Sequence, residues 1–294
     1  MDTQESPGDV CKVSLSTVSV SHRVQHCHRS SCQLEFAVQM TCEKCVLAIK
    51  TSLQDVKGVQ NVNVSLGSEA VVVETNLPAS EVQKLLESTG RRAVLKGMGS
   101  VKSQNLGAAV AMLEGVGSIQ GVVRFLQVSE KTCIIDGAVD GLRPGLHGLH
   151  IHEFGDLSMG CESCGGHYNP EGNTHGSPGQ ADSHVGDLGN VLACDDGRTT
   201  FRIDNDRLKV WDIIGRSLIV DEGEDDLGRG SHHLSKVTGN SGKGLACGII
   251  ARSAGLFENA KKICSCDGVT IWEERDRPIA GPERKKEHAN YAHL

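Results

Sequence analysis

The sequence predicts a multidomain protein in which an α+β region is followed by an all-β region and a short C-terminal segment. Strand-like and helix-like patterns alternate over residues 33–100, and β-rich runs between glycine- and proline-containing turns fill residues 103–251. Residues 252–294 are charged and too short for a core of their own. Residues 1–32, rich in Ser, His and Cys without a period, predict a disordered leader.

The composition narrows the classes of function. A net charge of −7 with a pI near 6.0 predicts no nucleic-acid partner. The chain has no apolar run of the roughly 18 residues that a membrane span needs, and its acidic N-terminus lacks the apolar stretch of a secretory signal. We therefore expect a cytoplasmic protein, with a minor mitochondrial intermembrane-space or peroxisomal fraction. The final Ala-His-Leu resembles a weak peroxisomal address. Twelve cysteines in a reducing compartment point to metal binding or redox chemistry.

The α+β region predicts four strands and two helices. Apolar residues alternate over 34–40 and then recur at helical spacing over 46–56, which predicts a strand followed by a helix. Two more strands meet at Gly67-Ser68, a capping box of Ser80 and Gln83 predicts the start of the second helix, and "RRAVLKG" predicts the last strand. The resulting order, βαββαβ, is the ferredoxin-like arrangement.

The all-β region predicts an antiparallel sandwich or barrel, because short runs such as "GVVRFLQV" and "TCIIDGAV" are separated by turn residues. Two stretches, 155–190 and 221–244, break this pattern because they are long, glycine-rich and polar. Loops of this length are usually functional or held in place by a bound group such as a metal.

The motif "MTCEKC" places two thiols where the first strand turns into the first helix. Cys42 lies at the helix N-terminus, where the helix dipole favours a thiolate, and Cys45 follows one turn later. Two thiolates do not complete a tetrahedral zinc site, but they suit the soft ion Cu(I). A thioredoxin-like redox pair is the alternative that the motif alone leaves open.

A second candidate site lies in the all-β region. His150 and His152 share one face of a strand, and four further candidate ligands follow within the first glycine-rich stretch: His167, His175, His184 and Asp187. Several imidazoles with one carboxylate suit Zn²⁺ or copper.

The C-terminal segment holds a third thiol pair, Cys264 and Cys266, in "KKICSCDG". A disulfide between residues two apart is strained, and strained disulfides are reactive and oxidising. The pair therefore suits thiol–disulfide exchange, and it can also bind Cu(I) through two sulfurs.

Three stretches, "GLHGLHIHEFGD", "GDLGN" and "GNSGKGLACGII", resemble the Cu,Zn superoxide dismutase family. With "MTCEKC" before them and a C-x-C pair after them, the chain from about residue 32 to residue 294 resembles the family of copper chaperones for superoxide dismutase. This resemblance implies a Greek-key β-barrel and a disulfide between Cys161 and Cys247. It implies zinc ligands at His167, His175, His184 and Asp187, copper-site histidines at His150, His152 and His167, and a linking carboxylate at Asp225.

Two positions depart from the dismutase pattern. Asp221 stands where the fourth copper-binding histidine is expected, and Gly244, beside Lys243, stands where an arginine attracts superoxide. Both changes weaken a catalytic copper site, so we expect a zinc-stabilised scaffold with a dimerisation surface and no true dismutase.

The resemblance implies a chaperone that delivers Cu(I) to Cu,Zn superoxide dismutase and promotes formation of its intrasubunit disulfide. The expected complexes are a heterodimer with the target and a homodimer through the dismutase-like region; the sequence does not identify the upstream copper donor. The alternatives are an active dismutase with an added metal-binding regulatory domain and a metal-storage protein.

Overall fold

The computed structural model describes residues 29–102 and 105–259, together with Thr270 and Trp272. The predicted leader, the Cys264–Cys266 pair and the terminal Ala-His-Leu lie outside the described residues. Among the residues that are described, none of the helices is long and apolar enough to cross a membrane.

The first part of the described chain has the predicted βαββαβ order. Its sheet has the strand order β2-β3-β1-β4, all antiparallel, and both helices supply apolar residues to a core that also contains Leu34, Phe36 and Val38 of β1. The elements are β1 (Cys32–Val38), α1 (Glu43–Leu53), β2 (Val59–Ser65), β3 (Ala70–Thr75), α2 (Ala79–Glu87) and β4 (Ala93–Ser100).

The predicted capping box of the second helix is wrong. Helix α2 begins at Ala79, so Ser80 lies inside its first turn, and the N-cap residue is Pro78, which makes no side-chain cap. The side chain of Gln83 instead donates to the carbonyl of Ala93 at 2.9 Å. The Ala79 N–H is satisfied by the Asp136 carboxylate at 2.9 Å, a group from the second part of the chain.

The second part of the chain is the predicted antiparallel barrel. Eight strands have the order β10-β8-β12-β13-β5-β6-β7-β11, and the two end strands lie against each other, so the barrel is nearly closed. The crossovers, such as the pairing of β8 with β12, follow the Greek-key pattern. The strands are β5 (Ala108–Gly115), β6 (Gln120–Gln127), β7 (Cys133–Asp140), β8 (Gly145–His152), the short isolated β9 (Ser158–Cys161), β10 (Asp187–Ala193), β11 (Thr199–Asn205), β12 (Ser217–Asp221) and β13 (Gly244–Arg252), with short helices α3 (Val210–Ile213) and α4 (Ser235–Thr238).

The two long glycine-rich stretches contact each other: the His175 N–H donates to the Lys236 carbonyl at 3.0 Å. A disulfide between Cys161, at the end of β9, and Cys247, in β13, ties the first stretch to the barrel, with 5.6 Å between the two Cα atoms. The pairing is the one that the family resemblance implied.

The two folded parts share a contact at one end of the ferredoxin-like sheet. Leu126 of β6 and Ile134 of β7 belong to the ferredoxin-like core, and Arg202 of β11 donates to the carbonyl oxygens of Leu77 at 3.0 Å and Ser30 at 2.7 Å. These contacts lie where β1 begins. Because a seven-residue strand is about 20 Å long, the loop after β1, which carries Cys42, lies at the far end from the barrel.

Candidate metal centres

The first centre is the pair of cysteines at the start of α1. Cys42 is the N-cap residue of the helix, and Cys45 lies in its first turn. Their Sγ atoms are 3.7 Å apart, close enough for one ion to contact both. Cys42 is exposed and Cys45 is buried, so an ion can enter from solvent at one sulfur and be shielded at the other.

The surroundings of Cys45 favour its thiolate. A hydrogen bond from the Thr41 backbone, then one from the Arg91 side chain and one from the Cys42 backbone, lower the pKa of Cys45 to about 6. At neutral pH the sulfur is therefore already in the form that binds a soft metal ion. Arg91 is distant in sequence and carries no motif, so the sequence analysis did not identify it.

The second centre is built around one oxygen of Asp187, the first residue of β10. The Nδ1 atoms of His167, His175 and His184 lie 2.9, 3.0 and 3.2 Å from Asp187 Oδ1. The other oxygen, Oδ2, accepts the N–H groups of Gly176 and His184, both at 3.1 Å. Burial alone would raise the pKa of Asp187, but its contacts with the three imidazoles lower it well below its usual range.

These four side chains have the composition of a tetrahedral zinc site, three imidazoles and one carboxylate. The Nδ1 atom of His175 is buried, and its 3.0 Å contact with Asp187 Oδ1 does not have the geometry of a hydrogen bond. Burial opposes a positive charge on His175, but the neighbouring carboxylates of Asp187 and Asp225 outweigh it and raise the pKa of His175 to about 9. The donor set therefore fits a divalent cation, which would replace this proton.

Asp225 links the second centre to the strand that carries His150. Its Oδ1 lies 2.7 Å from His175 Nε2, and its Oδ2 lies 3.0 Å from His150 Nε2. One donor atom from each of His150, His167, His175 and Asp187 lies within 4.8 Å of the others, so the two groups of ligands form one cluster.

At the position that corresponds to the dismutase copper site, the side chains are hydrogen-bonded to one another. Asp221 Oδ2 lies 2.8 Å from His150 Nδ1 and accepts the Ser241 hydroxyl at 2.8 Å. Both ring nitrogens of His150 are thus engaged by carboxylates. Burial opposes the charge, but the hydrogen bonds to Asp221 and Asp225 outweigh it and raise the pKa of His150 to about 9. A protonated imidazole has no lone pair to give to a metal.

The other two histidines of this position remain available as ligands. His152 donates Nδ1–H to the Gly165 carbonyl at 2.8 Å, and its buried Nε2 has no hydrogen-bond partner among the described residues. The ring of His167 stacks on that of His150, with centroids 4.0 Å apart. Burial and the charge of His150 lower the pKa of His167 to about 3, so His167 is neutral.

Gly244, at the expected arginine position, lies against the disulfide. A Cβ atom there would lie 2.8 Å from Cys161 Cβ and 2.8 Å from Ile219 Cγ2, distances that require a neighbour to move. This position therefore lacks the positive charge of an arginine, and the close neighbours of Gly244 also leave no space for a side chain.

The structure brings together all the predicted ligands of the barrel, while Cys264 and Cys266 lie outside the described residues.

Sequence reasoning missed Ser241 and His147. The ring nitrogens of His147 lie 2.8 Å from the carbonyl oxygens of Asp221 and Arg143, which fixes the backbone at the altered copper position. The signal for His147 was its position on β8, three residues before His150.

Comparisons with known proteins agree with this division of the chain. Residues 35–92 match the model of the heavy-metal-associated domain, and residues 119–250 match that of copper/zinc superoxide dismutase. The first match contains the Cys42–Cys45 pair, and the second contains the cluster around Asp187.

Similar proteins extend over most of the chain. It is 67% identical to the copper chaperone for superoxide dismutase of Mus musculus and 66% identical to that of Homo sapiens, in each case over 90% of this chain and 96% of the relative. It is 40% identical to the chloroplastic/cytosolic protein of the same name from Arabidopsis thaliana, over 81% of this chain and 69% of the relative. Together with the exposed thiol of Cys42 beside Cys45 and the altered copper position, these matches show that the chain belongs to the family of copper chaperones for superoxide dismutase.

Proposed function

We propose that Cu(I) enters at Cys42 and Cys45 and leaves through Cys264 and Cys266 to the histidines of a target superoxide dismutase. The observation that carries the proposal is the exposed thiol of Cys42, 3.7 Å from a sulfur whose surroundings favour a thiolate. Exchange between pairs of thiolates keeps copper in the Cu(I) state and avoids releasing it to water.

The barrel serves this function as a zinc-bound scaffold. The zinc ligands are His167, His175, His184 and Asp187. Asp225 orients His175 through its contact with the Nε2 atom of that ring. When bound, zinc would fix the first glycine-rich stretch against β10. Asp221, paired with His150 and Ser241, keeps copper from staying in the scaffold, which supports delivery over dismutation.

The barrel also provides the surface that pairs with the target. Met112, Phe154 and Ile249 are 55%, 50% and 43% exposed, and they lie on or beside the adjacent strands β5 and β13. Apolar groups exposed together support a protein interface. The chain uses this surface for a homodimer when alone and for a heterodimer when a target subunit replaces its partner.

After copper has left the tail thiols, a two-electron oxidant such as molecular oxygen converts Cys264 and Cys266 to a disulfide, and this disulfide promotes the intrasubunit disulfide of the target. A target thiolate attacks the Cys264–Cys266 disulfide, and one tail cysteine leaves as a thiolate. The second target thiolate then attacks the mixed disulfide and releases the other tail cysteine. Two electrons pass from the target to the tail, which ends as two thiols. The free thiols of Cys42 and Cys45 suit a reducing compartment, so we place the protein in the cytoplasm, with minor fractions in the mitochondrial intermembrane space and peroxisomes.

Mixing copper-loaded protein with reduced, zinc-only superoxide dismutase tests this function. Dismutase activity should appear in the target, and it should be lost with Cys42→Ser/Cys45→Ser but retained with Cys194→Ser, a cysteine on the barrel. Activity in the copper-loaded protein without a target would instead favour the alternative of an active dismutase.

A further inference from the structure

Arg207 follows β11 and reaches from the barrel to the loop that carries the candidate zinc ligands. Its backbone is held in place by Asn205, the last residue of β11. The Asn205 side chain accepts the backbone N–H groups of Arg207 at 2.9 Å and of Leu208 at 2.8 Å. Because Leu208 is fully buried in the barrel core, the chain at Arg207 is fixed to the barrel.

The Arg207 guanidinium donates four hydrogen bonds to the loop between β9 and β10. Its Nη1 donates to the Gln180 carbonyl and to the Ser183 hydroxyl, both at 2.8 Å. Its Nη2 donates to the Ser183 carbonyl at 3.0 Å and to Glu171 Oε2 at 2.8 Å. These two nitrogens carry two hydrogens each, so the four acceptors match the donors at that end of the side chain.

The contacted loop depends on hydrogen bonds for its position. Residues 176–183 lie between the ligands His175 and His184 and form no helix or strand. Residues 178–182 are exposed, so apolar packing contributes little there. Asn173 adds two longer contacts, from its Nδ2 to the carbonyls of residues 181 and 183, both at 3.2 Å. Arg207 therefore supplies much of what ties this loop to the barrel.

The peptide unit between Ser183 and His184 is held on both sides. Its carbonyl accepts Arg207 Nη2 at 3.0 Å, and its N–H donates to Asp187 Oδ2 at 3.1 Å. A peptide unit is planar, so fixing the directions of its C=O and N–H restricts where the next residue directs its side chain. That residue is His184, whose Nδ1 lies 3.2 Å from Asp187 Oδ1.

A surface ion pair does not account for this arrangement. Glu171 is 54% exposed at its side chain, and exposed pairs contribute little to stability. The Arg207 side chain is only 18% exposed, in agreement with its three uncharged acceptors at residues 180 and 183. The contacts with the loop backbone are therefore the ones that bear on the metal centre.

We propose that Arg207 is a positioning residue of the zinc centre, which holds the peptide before His184 in the orientation that places this imidazole beside Asp187. Arg207 does not contact the ion; it acts through the Ser183 carbonyl and hydroxyl. The inference rests on the proposed zinc ligands, and it concerns how firmly zinc is kept while copper moves elsewhere in the molecule.

Four variants separate this role from that of a charge or a surface contact. Arg207→Ala removes all four donated hydrogen bonds, whereas Arg207→Lys keeps the charge but presents a single nitrogen. Glu171→Gln removes only the ion pair. Arg198→Ala is the matched control, because Arg198 lies at the other end of β11 and pairs with Asp140 on the barrel surface.

The measurement uses the full-length chain with its accessible thiols blocked by N-ethylmaleimide, which keeps added metal away from Cys42 and Cys45. The chain is loaded with one equivalent of zinc, and release to an excess of the chelator 4-(2-pyridylazo)resorcinol is followed by absorbance. The same variants loaded with cobalt report the coordination geometry through their visible absorption, which a general loss of stability would not change.

Arg207→Ala should release zinc about tenfold faster than the parent, the lower end of the cost of losing a group that orients metal ligands. Its cobalt absorption should weaken as the geometry departs from tetrahedral. Arg207→Lys should release zinc at a rate between the two. Arg198→Ala and Glu171→Gln should both match the parent.

Zinc release from Arg207→Ala at the parent's rate would overturn the role of Arg207 and leave the zinc ligands as assigned. Equally fast release from Glu171→Gln and Arg207→Ala would also overturn it, because the ion pair would then hold the loop. If the parent binds no zinc once its thiols are blocked, the proposed zinc scaffold itself fails, and the inference fails with it.

Discussion

At the residue scale, Asp221 has the clearest chemical consequence. A histidine there would offer a neutral nitrogen, whereas the carboxylate accepts from His150 and Ser241 and keeps His150 protonated. Asp221 therefore weakens the copper position in two ways: it replaces one histidine ligand, and it raises the pKa of His150 to about 9, so copper must displace a proton to bind His150.

Asp221→His should raise the dismutase activity of the copper-loaded chain, because it supplies a fourth nitrogen ligand and frees His150 Nδ1. The gain should stay below that of an enzyme, since Gly244 provides no positive charge near the site and has no space for a side chain. Superoxide consumption by the variant and the parent checks this. Asp221→Asn is the control, because it removes the charge without adding a ligand. A parent that already works at an enzyme's rate would contradict this account.

The protonation of His175 predicts how zinc binding depends on pH. The metal must displace the His175 proton, whose pKa in the metal-free protein is about 9, so zinc affinity should rise about tenfold per pH unit up to that pH. The raised pKa values of His175 and His150 also stabilise the metal-free fold. That stabilisation is complete below the unfolded value of 6.5 and is lost as pH rises through about 9.

Zinc titrations and thermal unfolding between pH 6.5 and 9 measure both trends. Asp225→Asn removes a carboxylate that contacts both His175 and His150, and it should therefore make both trends with pH less steep.

Asp187→Ala should abolish tight zinc binding, whereas Asp182→Ala, an exposed neighbour in the same loop, should leave it intact. Full zinc retention by Asp187→Ala would show that the ligands are assigned incorrectly.

At the element scale, the start of α2 depends on a group from the barrel. The sequence predicted a local capping box, but the Asp136 carboxylate, 57 residues away, accepts the first helical N–H. Pro78 supplies neither a side-chain acceptor nor an N–H of its own, so the helix end needs a partner from outside.

Asp136→Ala should destabilise the ferredoxin-like domain by about 1 kcal/mol, the usual cost of losing an N-terminal cap. Asp136→Asn keeps an oxygen acceptor and should cost less. Chemical denaturation of the full chain, followed by a probe in the ferredoxin-like domain, distinguishes the two variants. Equal stability of the alanine variant and the parent would mean that water replaces the carboxylate without loss.

At the scale of the whole molecule, the sequence predicted those features of the fold and of the metal centres that depend on residues close together along the chain. Apolar periodicity indicated the βαββαβ order, and the spacing of cysteines and histidines indicated both sets of ligands. Contacts between distant residues left no local signal: Glu35 and Phe257 are 222 positions apart, and neither belongs to a metal-binding motif. Arg91 and Ser241 escaped notice for the same reason, because their roles depend on which neighbours the fold gives them.

The central claim is that copper and disulfide exchange both pass through the C-terminal thiol pair. The most direct test compares the parent with Cys264→Ser/Cys266→Ser, each loaded with copper at Cys42 and Cys45, as activators of reduced, zinc-only superoxide dismutase. Cys194→Ser serves as the matched control. The double variant should keep its fold, zinc and copper loading, yet leave the target inactive and trap no covalent complex with it. Activation of the target by the double variant as fast as by the parent would contradict the account.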